Sequence, residues 1–582
     1  MATSGERGRA TSLPLAAAAA FVGVTLARWA FSSDRRVFHV SPDEPSQLAI
    51  ARWLAGGRRW NMFDHATWQP GLGTLLTPIY WFTEDGETAV RWALGANAAI
   101  GGLAAALLVV LTRRLTGLSP VWCALLALIA GVAPASLSAT SFVWAEGLVS
   151  LTFLATLLAL LRWFDHQQVR IGMLAIAASV AGFTSHSRLL PMVGTTVLLT
   201  VGWAAWRRRW RDVTVLGMTA GLLLIASATW TRFLLAHVWE DPNDQNTVSA
   251  VWEKAQQPLA IADSLLGQAW YQLAATLGIA GLGALVLVRS MIGRAPNHGV
   301  TPTAIDARVL AITTLPLLLT SVVFMADRDR PDQFIYGRYN DAVMWPIIVL
   351  GLAWFGRRIR HGFNRRQLFA VALVAGAIVA MGLAVDLLHG DEIRDRYGVR
   401  GMIAGLLPFV DGTDTLDVWR TSLLAAGFLL AATGVVWLAH ADWIPTPVST
   451  GVLAVGALLA VVTFGVAAHR TEHVADLRLN GWQVASAVGE VDDIIPAGLT
   501  VAVRPVSSSK DPVVKWVPQR QRYMLYQLYL PQRTFLRDRG VDDDIGPYVF
   551  APLHDTELVD AGATLLWTDP GIQIGLWKEP GD

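Results

Sequence analysis

Long apolar runs recur through about the first 470 positions of this 582-residue chain. A helix needs about 20 consecutive apolar residues to cross the hydrocarbon core of a bilayer, and these runs reach that length. Apolar residues make up 53% of the sequence and charged residues only 16%, a composition that soluble domains rarely have. The sequence therefore predicts an α-helical polytopic membrane protein.

The length and spacing of the apolar runs predict thirteen membrane-spanning helices. The predicted spans are 12–31, 92–112, 119–137, 142–162, 171–185, 189–206, 212–236, 268–288, 309–326, 340–356, 368–388, 419–439 and 448–468. Basic residues cluster in every second gap between spans, and the positive-inside rule assigns these gaps to the cytoplasm. We therefore expect a multi-pass protein of the cell membrane whose C-terminal part lies outside the cytoplasm.

The pattern changes after residue 469, where charged and proline-containing segments alternate between helical and strand periodicity. LTVAVRPV, YVFAP and TLLWTD are rich in apolar β-formers, whereas GWQVASAVGE has a helical pattern. We predict a membrane module over 1–469, with an acidic motif in its outer loop 32–91, and a small extracytoplasmic α/β domain over 470–582. The single cysteine, Cys123, excludes an intrachain disulfide, and the sequence carries no nucleic-acid signature.

Two adjacent carboxylates, Asp43 and Glu44, follow the first predicted span. Pro45 suits the first turn of a helix and Gly56-Gly57 suits its end, so this stretch predicts a short helix on the outer membrane surface. Two interpretations of the acidic pair stay open. In the first, the pair stabilises the start of the helix, because a carboxylate at a helix N-terminus is favoured by capping and by the helix dipole. In the second, the pair takes part in a chemical reaction.

Further motifs follow the acidic pair in order: ARWLAGGRRW, WQPGLGTLLTPIYW, SATSFVWAEGLVSLTF, AGFTSHSRLLPMV and DQFIYGRYNDAVMWP. This order resembles the GT-C superfamily of membrane glycosyltransferases, which includes protein mannosyltransferases, aminoarabinose transferases and arabinofuranosyltransferases. In that family an acidic motif in the first outer loop precedes a juxtamembrane helix and a proline-containing segment. The chain departs from the pattern at Gln69-Pro70-Gly71, where many relatives carry Lys-Pro-Pro.

The resemblance implies a GT-C fold and a glycosyltransferase reaction. A sugar would pass, with inversion, from a polyprenyl-phosphate carrier to a cell-envelope glycan, lipid or protein acceptor on the outer face of the bilayer. Asp43 is expected to act as the base, with Glu44 and Glu146 as further catalytic carboxylates. The residues expected to bind substrate are His186, Arg188, Tyr336, Arg338 and Gln69. We predict no metal site, although a divalent cation is left open as a cofactor.

Other interpretations of the same features stand beside this one. The chain would be a transporter or flippase, or a noncatalytic envelope assembly subunit of the same fold. For Arg188 and Arg338 themselves, the alternative role is to anchor lipid headgroups. Predicted mid-membrane positions hold almost no charges, which argues against a transport site near the midplane. HRTEH, residues 469–473, matches an inverted zinc-protease pattern but has no evident third ligand.

Overall fold

The computed structural model describes residues 4–38, 43–61, 69–140, 142–239, 248–293, 302–326, 330–396, 400–410, 415–441, 451, 465, 481–504, 522–537, 546–569 and 573–580. Twenty α-helices precede the C-terminal unit: α1 (Ser4–Ser32), α2 (Asp43–Leu54), α3 (Gly71–Leu76), α4 (Gly86–Thr116), α5 (Pro120–Val132), α6 (Pro134–Thr140), α7 (Glu146–His166), α8 (Val169–Ser185), α9 (Leu190–Val197), α10 (Trp203–Trp206), α11 (Trp210–His237), α12 (Val248–Ala255), α13 (Pro258–Ala275), α14 (Ile279–Met291), α15 (Ala304–Met325), α16 (Pro331–Phe334), α17 (Arg338–Asp341), α18 (Trp345–His361), α19 (Arg365–Arg396) and α20 (Val418–His440). Three 3-10 segments, Thr77–Trp81, Ser187–Leu189 and Arg400–Phe409, and a π-helical turn, Leu198–Gly202, complete this part.

Eight of the described helical stretches are long and apolar enough to cross a membrane. Two bent pairs, α13 with α14 and α16–α17 with α18, would raise the number to ten if each pair is one span. The apolar helices α5 and α8 are shorter, with 13 and 17 residues. Nearly all of the predicted span 448–468 lies outside the described residues, so the count of thirteen stays a prediction.

Two of the predicted spans are bent in the structure. The sequence predicts one straight span over 268–288, but α13 and α14 meet at 107°. Leu277 and Gly278 have φ angles of +51° and +79° at this bend, a backbone region that glycine adopts without steric cost. The predicted span 340–356 is also bent, by 78°, and its straight part begins only at Trp345. This second bend leaves α17 as a separate turn beside the end of the bundle.

The C-terminal unit is built on one five-stranded sheet. Its described elements are α21 (Gly481–Ile494), β1 (Thr500–Val503), α22 (522–529), β2 (Thr534–Arg537), β3 (Tyr548–Pro552), α23 (Thr556–Asp560), β4 (Thr564–Thr568) and β5 (Ile574–Lys578). The strand order is β2-β1-β3-β5-β4; β1 pairs parallel with β2 and β3, and β5 pairs antiparallel with β3 and β4. The predicted α/β character is confirmed, whereas its boundary at 470 and its extracytoplasmic location stay predictions.

Helix α2 lies between the membrane helices and the C-terminal unit. The sequence predicts a short helix on the outer membrane surface, whereas in the structure every residue of 43–52 is buried within the protein. The reason is that α22 covers this helix: Arg52 Nη1 donates to the carbonyl of Gln527 at 2.6 Å. The side-chain amide of Gln527 also binds both backbone groups of Asn61, at 2.7 and 2.9 Å. The C-terminal unit thereby fixes the segment that begins with Asp43.

We expect Gln527→Ala to loosen this interface, because both backbone groups of Asn61 would lose a buried partner. Each such loss costs about 1–3 kcal/mol. Chemical unfolding of the purified protein would measure the change, with Gln532→Ala as the control, since the Gln532 amide binds the exposed side chain of Glu84. Equal stability of the two variants would contradict the assigned role of Gln527.

Candidate active site

A guanidinium bridges two carboxylates where α2, α7 and α17 meet. Arg338 Nε donates to Glu146 Oε1 at 2.6 Å, and Arg338 Nη1 donates to Asp43 Oδ2. All three side chains are buried, and all three were predicted as site residues on the resemblance to the GT-C superfamily. The structure brings them together although Asp43 and Arg338 are 295 residues apart in the sequence.

The loop before α7 supports this cluster from one side. The Arg338 guanidinium lies over the indole of Trp144, with 3.6 Å between Cζ and the ring centroid. A desolvated cation in this position gains roughly 2 kcal/mol from the aromatic quadrupole. Trp144 was not predicted as a site residue, although its place two residues before Glu146 in the motif FVWAEG offered a signal.

Helix α17 is held in place through its other end. Asp341 accepts hydrogen bonds from Tyr271 Oη at 2.8 Å and from Gln272 Nε2 at 3.0 Å. A Cβ on Gly337 would lie 1.9 Å from the Tyr271 ring, so only glycine permits this approach. The turn that carries Arg338 is therefore anchored to α13.

A second pair of predicted residues lies between α8 and α9. Arg188 Nη1 is 3.8 Å from Glu146 Oε1, and its guanidinium Cζ is 4.2 Å from the centroid of the Tyr339 ring. Within the described part of the chain, neither Nη atom of Arg188 has a hydrogen-bond partner. His186 accepts a hydrogen bond at Nδ1 from the backbone N–H of Arg188 and packs edge-on against Tyr339. Arg188 is thus a buried cation with unused donors.

Glu44 points away from its neighbour Asp43. Its carboxylate pairs with Arg35 at 3.2 Å, and its Oε1 accepts the backbone N–H of Val143 at 2.7 Å. Arg35 in turn lies 4.6 Å from the centroid of the Phe142 ring. These contacts tie α2 to the loop that carries Trp144. Glu44 therefore supports the site through these contacts, and the catalytic role predicted for it stays a prediction.

A small pocket of about 260 Å³, counted with the space open to solvent, adjoins the cluster. Its described lining residues are Asp43, Gln47, Gln69, Trp144, Ala145, Ser185, His186 and Arg338. Glu146, Arg188 and Tyr336 are not among the described lining residues. Tyr336 packs edge-on against Tyr339 with the ring centroids 4.8 Å apart.

Gln47 is a lining residue that the sequence analysis did not single out. It follows Asp43 by one helical turn, a spacing that places both side chains on one face of α2. Its Nε2 donates to the Gln69 carbonyl at 3.2 Å, and its Oε1 accepts the N–H of Gly73 at 2.8 Å. Gln47 thereby holds the segment where the chain departs from the Lys-Pro-Pro pattern.

The environment of Asp43 favours its protonated form more than water does. Burial raises the pKa of the Asp43 carboxyl above its ordinary value, and the Arg338 guanidinium opposes this rise. Apart from Arg338, no described residue donates a hydrogen bond to the Asp43 side chain. A pocket-lining carboxyl with a raised pKa is the kind of group that serves as a general base.

The described residues contain no group of three or more His, Cys, Asp and Glu side chains that would hold a metal ion. The Arg338 guanidinium lies between Asp43 and Glu146, where a cation bridging the two carboxylates would lie. The described residues therefore offer no ligand set for the divalent cation that the sequence analysis left open. The HRTEH motif, 469–473, lies outside the described residues.

The chain shares its fold with a solved membrane transferase. It is similar to the crystal structure of ArnT, an aminoarabinose transferase from Cupriavidus metallidurans, bound to undecaprenyl phosphate. The sequence identity is 15% and the TM-score is 0.50, over 96% of this chain and 97% of ArnT. The apo structure of the same ArnT gives 14% identity and a TM-score of 0.51, over 96% of each chain. The arabinosyltransferase EmbB from Mycobacterium smegmatis is less similar: 12% identity and a TM-score of 0.40, over 80% of this chain and 41% of EmbB.

The predicted GT-C fold is confirmed by the two ArnT comparisons, which extend over nearly the whole chain. No protein-family model matches the sequence, and no curated protein matches it either.

We expect Glu44→Gln to destabilise the fold, because it would leave the buried Arg35 guanidinium without its countercharge. Removing one partner of a buried ion pair costs about 3–5 kcal/mol. Glu87→Gln is the matched control, since Glu87 pairs with the largely exposed Arg36 and such pairs contribute about 0–1 kcal/mol. Unfolding of the purified variants would measure both changes, and a Glu44 variant as stable as the control would refute the supporting role.

Proposed function

We propose that this protein is an inverting membrane glycosyltransferase that uses a polyprenyl-phosphate sugar donor at the outer face of the cell membrane. The observation that carries the proposal is the Asp43–Arg338–Glu146 cluster beside a pocket, on the fold of ArnT. ArnT has been crystallised with undecaprenyl phosphate, which supports a carrier of this class. The acceptor would be a glycan, lipid or protein of the envelope.

In the proposed reaction, the acceptor hydroxyl attacks the anomeric carbon as the bond between that carbon and the phosphate oxygen breaks. Asp43 takes the hydroxyl proton on the face opposite the departing phosphate. The phosphate leaves with the bonding electron pair, and its growing negative charge needs nearby cations. Arg338, which lines the pocket, and Arg188 are these cations, with His186 beside them. Glu146 holds both guanidinium groups in position before the phosphate arrives.

The alternative functions place different demands on the same residues. A transporter needs a polar path through the membrane helices, whereas the charges of the site lie at the start of α2 and α7, just before α9, and in α17. A noncatalytic subunit would not need a buried carboxyl with a raised pKa in its pocket. These two observations support the transferase.

Asp43→Asn tests whether Asp43 acts as the base, because Asn keeps an oxygen that accepts from Arg338 but is not a base, and Arg338 keeps Glu146 as its countercharge. We expect sugar transfer to fall roughly a hundredfold or more. The wild-type rate should be lost as the pH falls through the Asp43 pKa. Because that pKa is raised, the loss should begin above the ordinary aspartate range of about 4. Transfer from polyprenyl-phosphate-linked sugars into envelope acceptors would measure this in reconstituted protein.

The matched control is Asp85→Asn, because Asp85 caps α4 by accepting the Thr88 N–H at 2.8 Å and lies outside the pocket. Its transfer rate should equal that of the wild type. If Asp43→Asn also transfers sugar at the wild-type rate, Asp43 is only a structural residue of α2.

Arg188→Gln tests the phosphate site more cleanly than a change at Arg338, which would leave two buried carboxylates without their shared partner. We expect affinity for undecaprenyl phosphate to fall roughly 10- to 100-fold, the scale of a charged hydrogen bond. Lipid binding to the purified protein would measure it. Arg330→Gln is the control, because the half-exposed Arg330 pairs with its own neighbour Asp332 at 2.8 Å. Equal losses in the two variants would make Arg188 a general headgroup anchor.

A further inference from the structure

A second pocket lies where α18 and α20 end and α19 begins. It has a volume of about 700 Å³, again counted with its opening to solvent. Its described lining residues are Arg358, His361, Gly362, Phe363, Asn364, Gln367, Trp437, His440 and Ala441. None of these is acidic, and one is a permanent cation. The pocket therefore suits an anion.

The position of this pocket is set by α18. The helix begins at Trp345, beside the Arg338 turn, and its 17 residues extend about 25 Å at 1.5 Å per residue. The hydrocarbon core of a bilayer is about 30 Å thick. The pocket thus lies about one bilayer thickness from the Arg338 turn along α18, and we infer that it is near the membrane surface opposite the candidate active site.

The polar groups around the pocket leave donors for a ligand. Arg358 Nε is buried and has no hydrogen-bond partner among the residues that the structure describes. His440 contacts the Val436 carbonyl through Nδ1 at 2.9 Å. Asn364 and Gln367 cap the start of α19 reciprocally, at 2.9 and 3.0 Å, and the N-terminal end of a helix favours negative charge.

An apolar strip leads from the pocket along α20. Trp437, Leu430 and Leu423 follow one another at intervals of seven residues, so they lie on one face of the helix. They are 45%, 47% and 46% exposed, respectively. Such a strip gives acyl chains a surface to lie against, whereas a free anion has no use for it. Trp437 lies both in the pocket and on the strip, at the interfacial depth that tryptophan prefers.

We propose that this pocket binds the phosphate headgroup of an anionic phospholipid in the leaflet opposite the candidate active site. Arg358 contributes the main charge, and the acyl chains lie along the strip formed by Trp437, Leu430 and Leu423. Basic pockets between membrane helices bind anionic headgroups in this manner. The proposal is independent of the glycosyltransferase function, because it uses none of the residues around Asp43.

The test is native mass spectrometry of the full-length protein in detergent, titrated with phosphatidylglycerol, with phosphatidylcholine or with inorganic phosphate. Phosphatidylglycerol should bind more tightly than phosphatidylcholine. Arg358→Gln should weaken phosphatidylglycerol binding roughly fivefold or more, the scale of one basic residue at a membrane surface. Arg360→Gln is the matched control, because Arg360 lies on the same helix turn but stacks over Trp122 at 5.0 Å, outside the pocket.

A second variant keeps the proposal testable if Arg358→Gln does not fold. Gln367→Glu keeps the acceptor that binds the Asn364 N–H but adds a negative charge to the pocket, so it should fold and reject phosphatidylglycerol. Three results would overturn the proposal: equal losses in Arg358→Gln and Arg360→Gln, no preference for phosphatidylglycerol over phosphatidylcholine, or displacement of the lipid by millimolar inorganic phosphate. The last result would define a free-anion site. None of these measurements depends on catalytic activity.

Discussion

One buried guanidinium, that of Arg338, joins three segments that lie 192 and 295 residues apart in the sequence. Removing charges from water costs several kcal/mol per ion, and only close pairing with additional hydrogen bonds offsets that cost. Asp43 and Glu146 supply the pairing, and Trp144 supplies a polarisable face. Because each charge is costly without the others, the cluster requires α2, α7 and α17 to be in place together.

Contacts from several other parts of the structure hold these elements in place. The Arg35–Glu44 pair holds the loop that carries Trp144, and the anchoring of α17 to α13 depends on the absence of a side chain at Gly337. The C-terminal unit closes over α2 through Gln527. A segment that resembles a surface helix in sequence is therefore buried on all sides, because its partners come from distant parts of the chain.

The sequence predicted what depends on local length and pattern. Apolar runs predicted a protein with many membrane spans, and the order of motifs that resembles the GT-C superfamily pointed to Asp43, Glu146 and Arg338. The break at Gly278 was missed, because the apolar run continues unchanged through it. Strand β2 was missed because its four residues include an arginine and are followed by further charged residues. The separate roles of the two adjacent carboxylates depend on contacts with other elements, which no local pattern contains.

The charges of the site also suggest how it responds to its proposed substrate. Asp43 and Glu146 carry two negative charges, and Arg188 and Arg338 carry two positive ones, so the resting cluster is formally neutral. A phosphate diester entering this site would compete with the carboxylates for the guanidinium groups. A carboxylate that loses part of its countercharge binds a proton more strongly. Donor binding would thereby strengthen Asp43 as a base at the moment when an acceptor hydroxyl must lose its proton, and the cations would remain to receive the departing phosphate.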